Sequence, residues 1–140
     1  MITILENDIS RFISAQEFTF PIALKEIRQG HKKTHWMWFI FPQICGLGMS
    51  APAQRYGIKS AAEAQEYITH PVLGPRLIEI TTAVLEHKSK TAESIFGYPD
   101  VLKFQSCMTL FWLVSRNEVF KEALDCFYDG KLCEYTKNNI

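Results

Sequence analysis

The chain has 140 residues, and its fifteen Lys and Arg side chains balance fifteen Asp and Glu side chains. This length suits one domain, and 47% apolar residues exclude a disordered chain. A formal charge of zero argues against a protein that works mainly by neutralising nucleic-acid phosphates. We therefore expect a single domain over residues 1–140, and we do not expect nucleic acid as its partner.

Neither the first residues nor the cysteines indicate export or a metal centre. Residues 1–8 lack the basic start and the apolar stretch of a secretory signal, and no window holds the roughly 18 apolar residues of a membrane span. Cys45, Cys107, Cys126 and Cys133 show no CxxC spacing, which favours reduced thiols. We expect a cytoplasmic protein without membrane contact, metal site or cofactor.

Two helices are predicted before residue 30. Apolar residues recur at helical spacing over residues 9–16. A second helix is predicted over residues 19–29, because Pro21 suits its first turn and Gly30 suits its C-terminal cap.

Residues 30–58 form the one segment with a different character. They hold the helix-breaking residues Gly30, Pro42, Gly46, Gly48, Pro52 and Gly57. Residues 35–41 fit a short helix or an extended piece that Pro42 ends. An irregular segment of this length inside a small domain is more often functional than accidental.

Helical patterns return at Ser60, which forms a capping box with Glu63. Further helices are predicted up to residue 69, over 73–84, over 91–96 and over 119–127. Between the last two, Asp100 is predicted to cap a helix over 100–115 that is apolar nearly all round, which is typical of a central core helix. No alternating strand pattern competes, so the fold class is all-α with six or seven helices in one compact domain.

The irregular segment also concentrates chemistry around Trp36 and Trp38. Planar aromatic rings offer stacking faces, and Lys32 and Lys33 offer charge to a phosphate or carboxylate. Histidine is the side-chain type that most often moves protons near neutral pH, so His35 is the candidate acid or base. The competing interpretation is structural, because tryptophans bury large apolar areas and glycines make turns.

Several motifs in this chain are long and specific. The first runs from Gly30 to Gln43, and further ones are Gly46–Ser50, Tyr56–Ile58, His70–Leu77 and Lys103–Phe111. Together they resemble the motifs of the DUF1810 family, a family of small proteins found mostly in bacteria, and the resemblance covers nearly the whole chain.

The resemblance implies an all-helical fold and no particular activity. One departure lies near the C-terminus, where similar sequences tend to have an Asp three residues before Thr136. Cys133 occupies that position here, and Lys137, Asn138 and Asn139 follow Thr136.

The leading hypothesis is a binding protein or enzyme for a small anionic, nucleotide-like ligand, and the residues leave open whether it is a catalyst. His35 is the candidate catalytic residue. The predicted ligand-binding residues are Lys32, Lys33, Trp36, Trp38, Gln43, Ser50, Gln54, Arg55, Tyr56, His70, Arg76, Lys103 and Ser106. The alternative is a protein-interaction module that presents a Trp, Met and Phe surface to a protein partner.

Overall fold

The structure is a computed structural model that describes residues 8–140. Residues 1–7, on which the prediction of no secretory signal depends, lie outside the described residues. The described part of the chain contains ten helices: α1 (Ser10–Gln16), α2 (Phe20–Arg28), α3 (Met37–Ile40), α4 (Ala51–Tyr56), α5 (Ala61–Thr69), α6 (Leu73–Leu85), α7 (Ala92–Phe96), α8 (Asp100–Ser115), α9 (Glu118–Tyr128) and α10 (Glu134–Asn138).

The predicted all-α class is confirmed, but the predicted number of six or seven helices is wrong. The two helices without a sequence prediction, α4 and α10, have only six and five residues. Helix α3 has four residues and lies in the stretch 35–41, which the sequence left open between a short helix and an extended piece. A helix of one turn shows no apolar repeat, so periodicity cannot reveal it.

Helix α8 lies at the centre of the core, as its apolar sequence predicts. It packs against α5, α7, α9 and α10, while α6 packs against α2, α5 and α9. Phe104, Met108, Leu110 and Phe111 of α8 are fully buried. The first turn of α8, before Phe104, is more exposed than this buried middle part. That N-terminal end of the helix borders the cavity described below.

The predicted cap at Asp100 is wrong. Pro99 precedes the helix and no side chain caps it, whereas Asp100 is its first residue and pairs with two lysines. The cap at Ser60 is confirmed, because its Oγ accepts the Glu63 N–H at 3.1 Å.

Glu26 on α2 fixes the start of the irregular segment. Its carboxylate accepts the backbone N–H groups of Lys33 and Thr34, the Thr34 hydroxyl and the Trp36 indole N–H, at 2.6 to 3.0 Å. Burial by itself raises the pKa of this carboxyl, but the hydrogen bonds outweigh burial and lower the pKa to about 2. The side chain of Trp36 is thereby held in the core, with no exposed surface.

This carboxylate predicts a specific loss of stability in acid. Because the folded-state pKa of about 2 lies below the ordinary 4.5, the stabilisation is complete above pH 4.5 and declines as the pH falls towards 2. It amounts to about 3 kcal/mol. We expect Glu26→Gln to lower the free energy of unfolding at pH 7 and to flatten its decline between pH 5 and pH 3, measured by urea unfolding.

The exposed Glu66 on α5 provides the matched control. Glu66→Gln should retain the wild-type pH dependence. An equal acid sensitivity in Glu26→Gln and wild type would contradict the role given to Glu26.

Candidate functional site

A cavity of about 320 Å³ lies between α3, α4, the connecting loops and the N-terminal end of α8. Its walls are mainly apolar, with a few polar side chains among them. The lining residues are Trp38, Gln43, Ile44, Leu47, Gly48, Ala53, Tyr56, Gly57, Pro99, Leu102, Lys103 and Ser106. Most of them belong to the irregular segment, and the others come from one face of α8 and the residue before it.

A short backbone pairing holds the irregular side of the cavity together. Ile44 and Ile58 form an isolated parallel bridge, with Cys45 N donating to Ile58 O at 2.8 Å and Ile58 N to Gln43 O at 2.7 Å. Gly57 permits this close approach, since an added Cβ would lie 2.7 Å from Cys45 Cβ. The bridge therefore joins two parts of the cavity lining, although Ile44 and Ile58 are 14 positions apart along the chain.

The C-terminal helix α10 supports the loop at the cavity rim. Tyr135 Oη donates to the Cys45 carbonyl at 3.3 Å. The next residue, Gly46, has a φ of +98°, and a Cβ there would lie 2.0 Å from Tyr135 Oη. The backbone conformation therefore favours glycine here, and any larger residue would also displace the Tyr135 hydroxyl.

Two lysines share one carboxylate at the edge of the cavity. Asp100 Oδ2 lies 2.8 Å from Lys32 Nζ, and Asp100 Oδ1 lies 3.1 Å from Lys103 Nζ. The side chain of Lys32 is only 8% exposed and its Nζ lies 5.0 Å from the Trp36 ring. Lys103 lines the cavity, with its Nζ 6.0 Å from the centre of the Trp38 ring. Two cations and one anion leave a net positive charge beside Trp38.

Three polar lining side chains have unused hydrogen-bonding capacity. Trp38, Gln43 and Tyr56 make no side-chain hydrogen bond to any residue in the range 8–140. Two side-chain atoms in that range are both buried from solvent and without a hydrogen-bond partner, and neither belongs to Trp38, Gln43 or Tyr56. The indole N–H, the amide and the phenol are thus available to a molecule that enters the cavity.

Ser106 connects the cavity to a thiol. It lines the cavity and its Oγ donates to Cys133 Sγ at 3.1 Å. Burial by itself raises the pKa of the Cys133 thiol, but the Ser106 hydroxyl and the polar groups at the start of α10 that face the sulfur outweigh burial, so the pKa lies below its ordinary value.

The structure brings five of the predicted site residues together around the cavity: Trp38, Gln43, Tyr56, Lys103 and Ser106. Lys32 does not line the cavity, but it pairs with Asp100, and Asp100 also pairs with the lining residue Lys103. These residues come from two stretches that are more than 40 positions apart in the sequence. Local sequence patterns do not show that two such distant stretches lie side by side in the fold.

Three predicted residues just before α3 lie elsewhere. Trp36 is fully buried against Glu26 and cannot stack on a ligand from solvent. Lys33 is exposed and donates to Gln29 Oε1 at 3.3 Å. His35 is exposed, makes no hydrogen bond to a residue in 8–140 and does not line the cavity. Of the predicted cationic pair, only Lys32 has a connection to the cavity.

Three predicted residues around α4 serve the helix itself. Ser50 caps α4 by accepting the Ala53 N–H at 3.2 Å, and the Gln54 amide donates to Met49 O at 2.8 Å. Arg55 is exposed, with its guanidinium 5.5 Å from the centre of the Tyr56 ring. None of the three belongs to the cavity lining.

His70 and Arg76 lie outside the lining as well. His70 Nδ1 accepts the Val72 N–H at 3.0 Å at the start of α6, which makes it a helix-junction residue. The Arg76 guanidinium lies 5.4 Å from the Phe20 ring, and its Nη1 is 3.5 Å from Gln16 Oε1. The partners of Arg76 are therefore protein groups near α1 and α2.

Sequence reasoning missed Asp100 as a charged partner, the apolar wall and Cys133. Leu102, Lys103 and Ser106 follow Pro99 at helical spacing, and this signal would have placed the three on one face of α8, next to Pro99. Leu47 and Ile44 carry no such signal, since they lie in irregular chain.

The described residues show no sign of two other kinds of site. Within residues 8–140, no group of three or more His, Cys, Asp or Glu side chains is arranged to hold a metal ion. No helix in this range is both long and apolar enough to cross a membrane.

Comparison with known proteins identifies the family. No curated protein matches the chain. Among solved structures, the conserved hypothetical protein Rv1873 from Mycobacterium tuberculosis is similar, with 44% sequence identity, a TM-score of 0.92, and coverage of 94% of this chain and 95% of that one. The model of the family described as "Protein of unknown function (DUF1810)" matches residues 6–140. The chain therefore belongs to the DUF1810 family, as its motifs predict.

Proposed function

We propose that this protein binds a small anionic molecule with a flat ring in the cavity beside Trp38. The observation that carries the proposal is the set of unpaired polar groups on Trp38, Gln43 and Tyr56, together with Lys103, in one solvent-connected cavity. Ligand sites typically combine apolar walls with a few convergent polar groups of this kind.

The size of the cavity limits the ligand. Its volume of about 320 Å³ lies at the lower end of the roughly 300–1,000 Å³ of typical ligand pockets. This volume favours one ring system with one charged group, such as an aromatic carboxylate or a nucleoside monophosphate. A dinucleotide would extend beyond it.

The charge of the site favours an anion. Lys32 and Lys103 share the single carboxylate of Asp100, so a ligand phosphate or carboxylate near Lys103 compensates the remaining positive charge. Trp38 and Tyr56 supply aromatic surfaces for the ring of the ligand, while the Gln43 amide offers both a donor and an acceptor.

The site supports binding more than catalysis. Tyr56 and Lys103 are the titratable side chains among the lining residues, and His35 is not one of the lining residues. The protein-interaction alternative has less support, because Trp36, Met37 and Phe41 of the aromatic segment are buried and present no surface to a partner.

Fluorescence quenching tests the attraction of anions without knowledge of the ligand. In a Trp112→Phe variant, Trp36 is buried, so the quenchable emission comes from Trp38. We expect iodide to quench this emission, and Lys103→Gln in the same background to lower the iodide quenching constant about twofold. Acrylamide is neutral, so its quenching constant should stay the same.

Lys121→Gln is the control for this measurement, since Lys121 is exposed on α9 and pairs with Asp125. Equal iodide quenching in the Lys103 and Lys121 variants, at one ionic strength, would show that Lys103 creates no local preference for anions.

A thermal-shift screen tests the ligand class directly. The compounds are nucleoside monophosphates and aromatic carboxylates, each compared with its uncharged nucleoside or amide. We expect a charged compound to raise Tm, with stabilisation of about 2.7 kcal/mol at a hundredfold excess over Kd. Trp38→Ala should weaken binding about tenfold through loss of stacking, and Lys103→Gln should remove the preference for the charged compound.

His35→Ala is the matched comparison, because the two hypotheses differ on this residue. A binding site centred on the cavity predicts an unchanged ligand shift in this variant. A shift that depends on His35 but not on Trp38 would move the site to the surface around His35 and reject the cavity.

A further inference from the structure

The sulfur of Cys133 is surrounded by hydrogen-bond donors. Cys133 directly precedes α10, so the backbone N–H groups of Tyr135 and Thr136 turn towards its side chain. From α8, Ser106 Oγ donates to Sγ at 3.1 Å. The backbone N–H of Cys133 is itself committed to Thr109 Oγ1 at 2.9 Å. An acceptor among several donors is an arrangement that favours a negative charge on the sulfur.

A second observation concerns the hydroxyl of Thr136. Thr136 is fully buried and its side chain faces the Cys133 sulfur. Within residues 8–140, its Oγ1 completes no hydrogen bond. An unpaired buried hydroxyl is destabilising, and a thiolate is a much better acceptor for it than a neutral thiol. Ionisation of Cys133 would therefore satisfy a group that the neutral state leaves unpaired.

Among the residues that the structure describes, no charged side chain is responsible for this environment. The causes of the lowered pKa of Cys133 are hydrogen bonds opposed by burial. The nearest charged residues along the chain, Lys131 and Glu134, are exposed to solvent. The polar groups that face the sulfur come from α8 and from the first turn of α10.

The other three cysteines differ from Cys133. Cys107 is fully buried, and burial raises the pKa of its thiol. Cys45 and Cys126 are exposed, and no donor from residues 8–140 reaches either sulfur. Cys133 is partly exposed, so it combines partial exposure of the residue with hydrogen-bond donors around its sulfur.

We propose that Cys133 is a modification site that reacts with low-molecular-weight disulfides. The Cys133 thiolate attacks one sulfur of the disulfide R–S–S–R, and a new S–S bond forms while the original S–S bond breaks. The second half leaves as R–S⁻ with the electron pair and takes up a proton from water. Cys133 is oxidised to a mixed disulfide, and the departing half is reduced to a thiol.

The test uses the full chain with the exposed cysteines replaced, C45S/C126S, so that Cys133 is the accessible thiol. The reference is C45S/C133S, which keeps Cys126. Each protein is treated with oxidised glutathione and analysed by intact mass. Separately, its rate of alkylation by iodoacetamide is measured from pH 5 to pH 10. Labelling of the buried Cys107 would reveal any variant that has unfolded.

We expect oxidised glutathione to add one half-molecule to the Cys133 protein faster than to the Cys126 protein. The alkylation midpoint of Cys133 should lie below that of Cys126. Ser106→Ala should raise the Cys133 midpoint by about one pH unit and lower its rate at pH 7 about threefold, because the higher pKa partly restores nucleophilicity. Thr136→Val should act in the same direction.

Ser115→Ala provides the matched control, since Ser115 ends the same helix and donates to Phe111 O rather than to a sulfur. It should leave the Cys133 midpoint unchanged. A Cys133 midpoint equal to that of Cys126, or one that neither Ser106→Ala nor Thr136→Val moves, would overturn the proposal. None of these measurements depends on a ligand in the cavity.

Discussion

The carboxylate of Glu26 is the interaction on which the site depends. Four donors from the following segment converge on it, and one of them is the indole N–H of Trp36. Trp36 is fixed in the core and α3 begins at the next residue. Trp38 then points to the opposite side of the helix, where it lines the cavity. Two tryptophans that are two positions apart thus have different roles: Trp36 holds the segment in the core, and Trp38 lines the cavity.

The cavity is composite, and its charge is shared between distant parts of the chain. The irregular segment contributes the aromatic and amide groups, while α8 contributes Lys103, Leu102 and Ser106. Asp100 connects the two sides by pairing with Lys32 as well as Lys103. This carboxylate keeps both ammonium groups in place and reduces the positive charge without cancelling it. Such an arrangement suits a reversible ligand better than an unpaired cluster of lysines, because the cations remain oriented when the cavity is empty.

The sequence predicted the long helices well, since α6 and α9 repeat an apolar pattern over three turns and α8 is apolar nearly all round. Its Gly and Pro residues also marked residues 30–58 as different, and this segment supplies most of the cavity lining. The sequence could not separate Trp36 from Trp38, since burial is decided by the hydrogen bond to Glu26, ten residues earlier. The surroundings of His35, Arg76 and Asp100 could not be predicted either, because local sequence does not show which side chains meet. His35 and Arg76 were therefore included in the predicted site, and Asp100 was predicted to be a helix cap. Side-chain partners across long sequence separations are fixed by packing, which local patterns do not encode.

The hydrogen bond from Tyr135 to the Cys45 carbonyl joins residues 90 positions apart. During synthesis from the N-terminus, the rim loop therefore leaves the ribosome long before its support on α10 exists. The central helix can already pack while this loop still lacks its last partner. The cavity rim is thus expected to be among the last parts of the domain to become ordered, and among the first to open when the folded protein fluctuates. Under the proposed function, such an opening at the rim is the route by which a ligand enters and leaves the cavity.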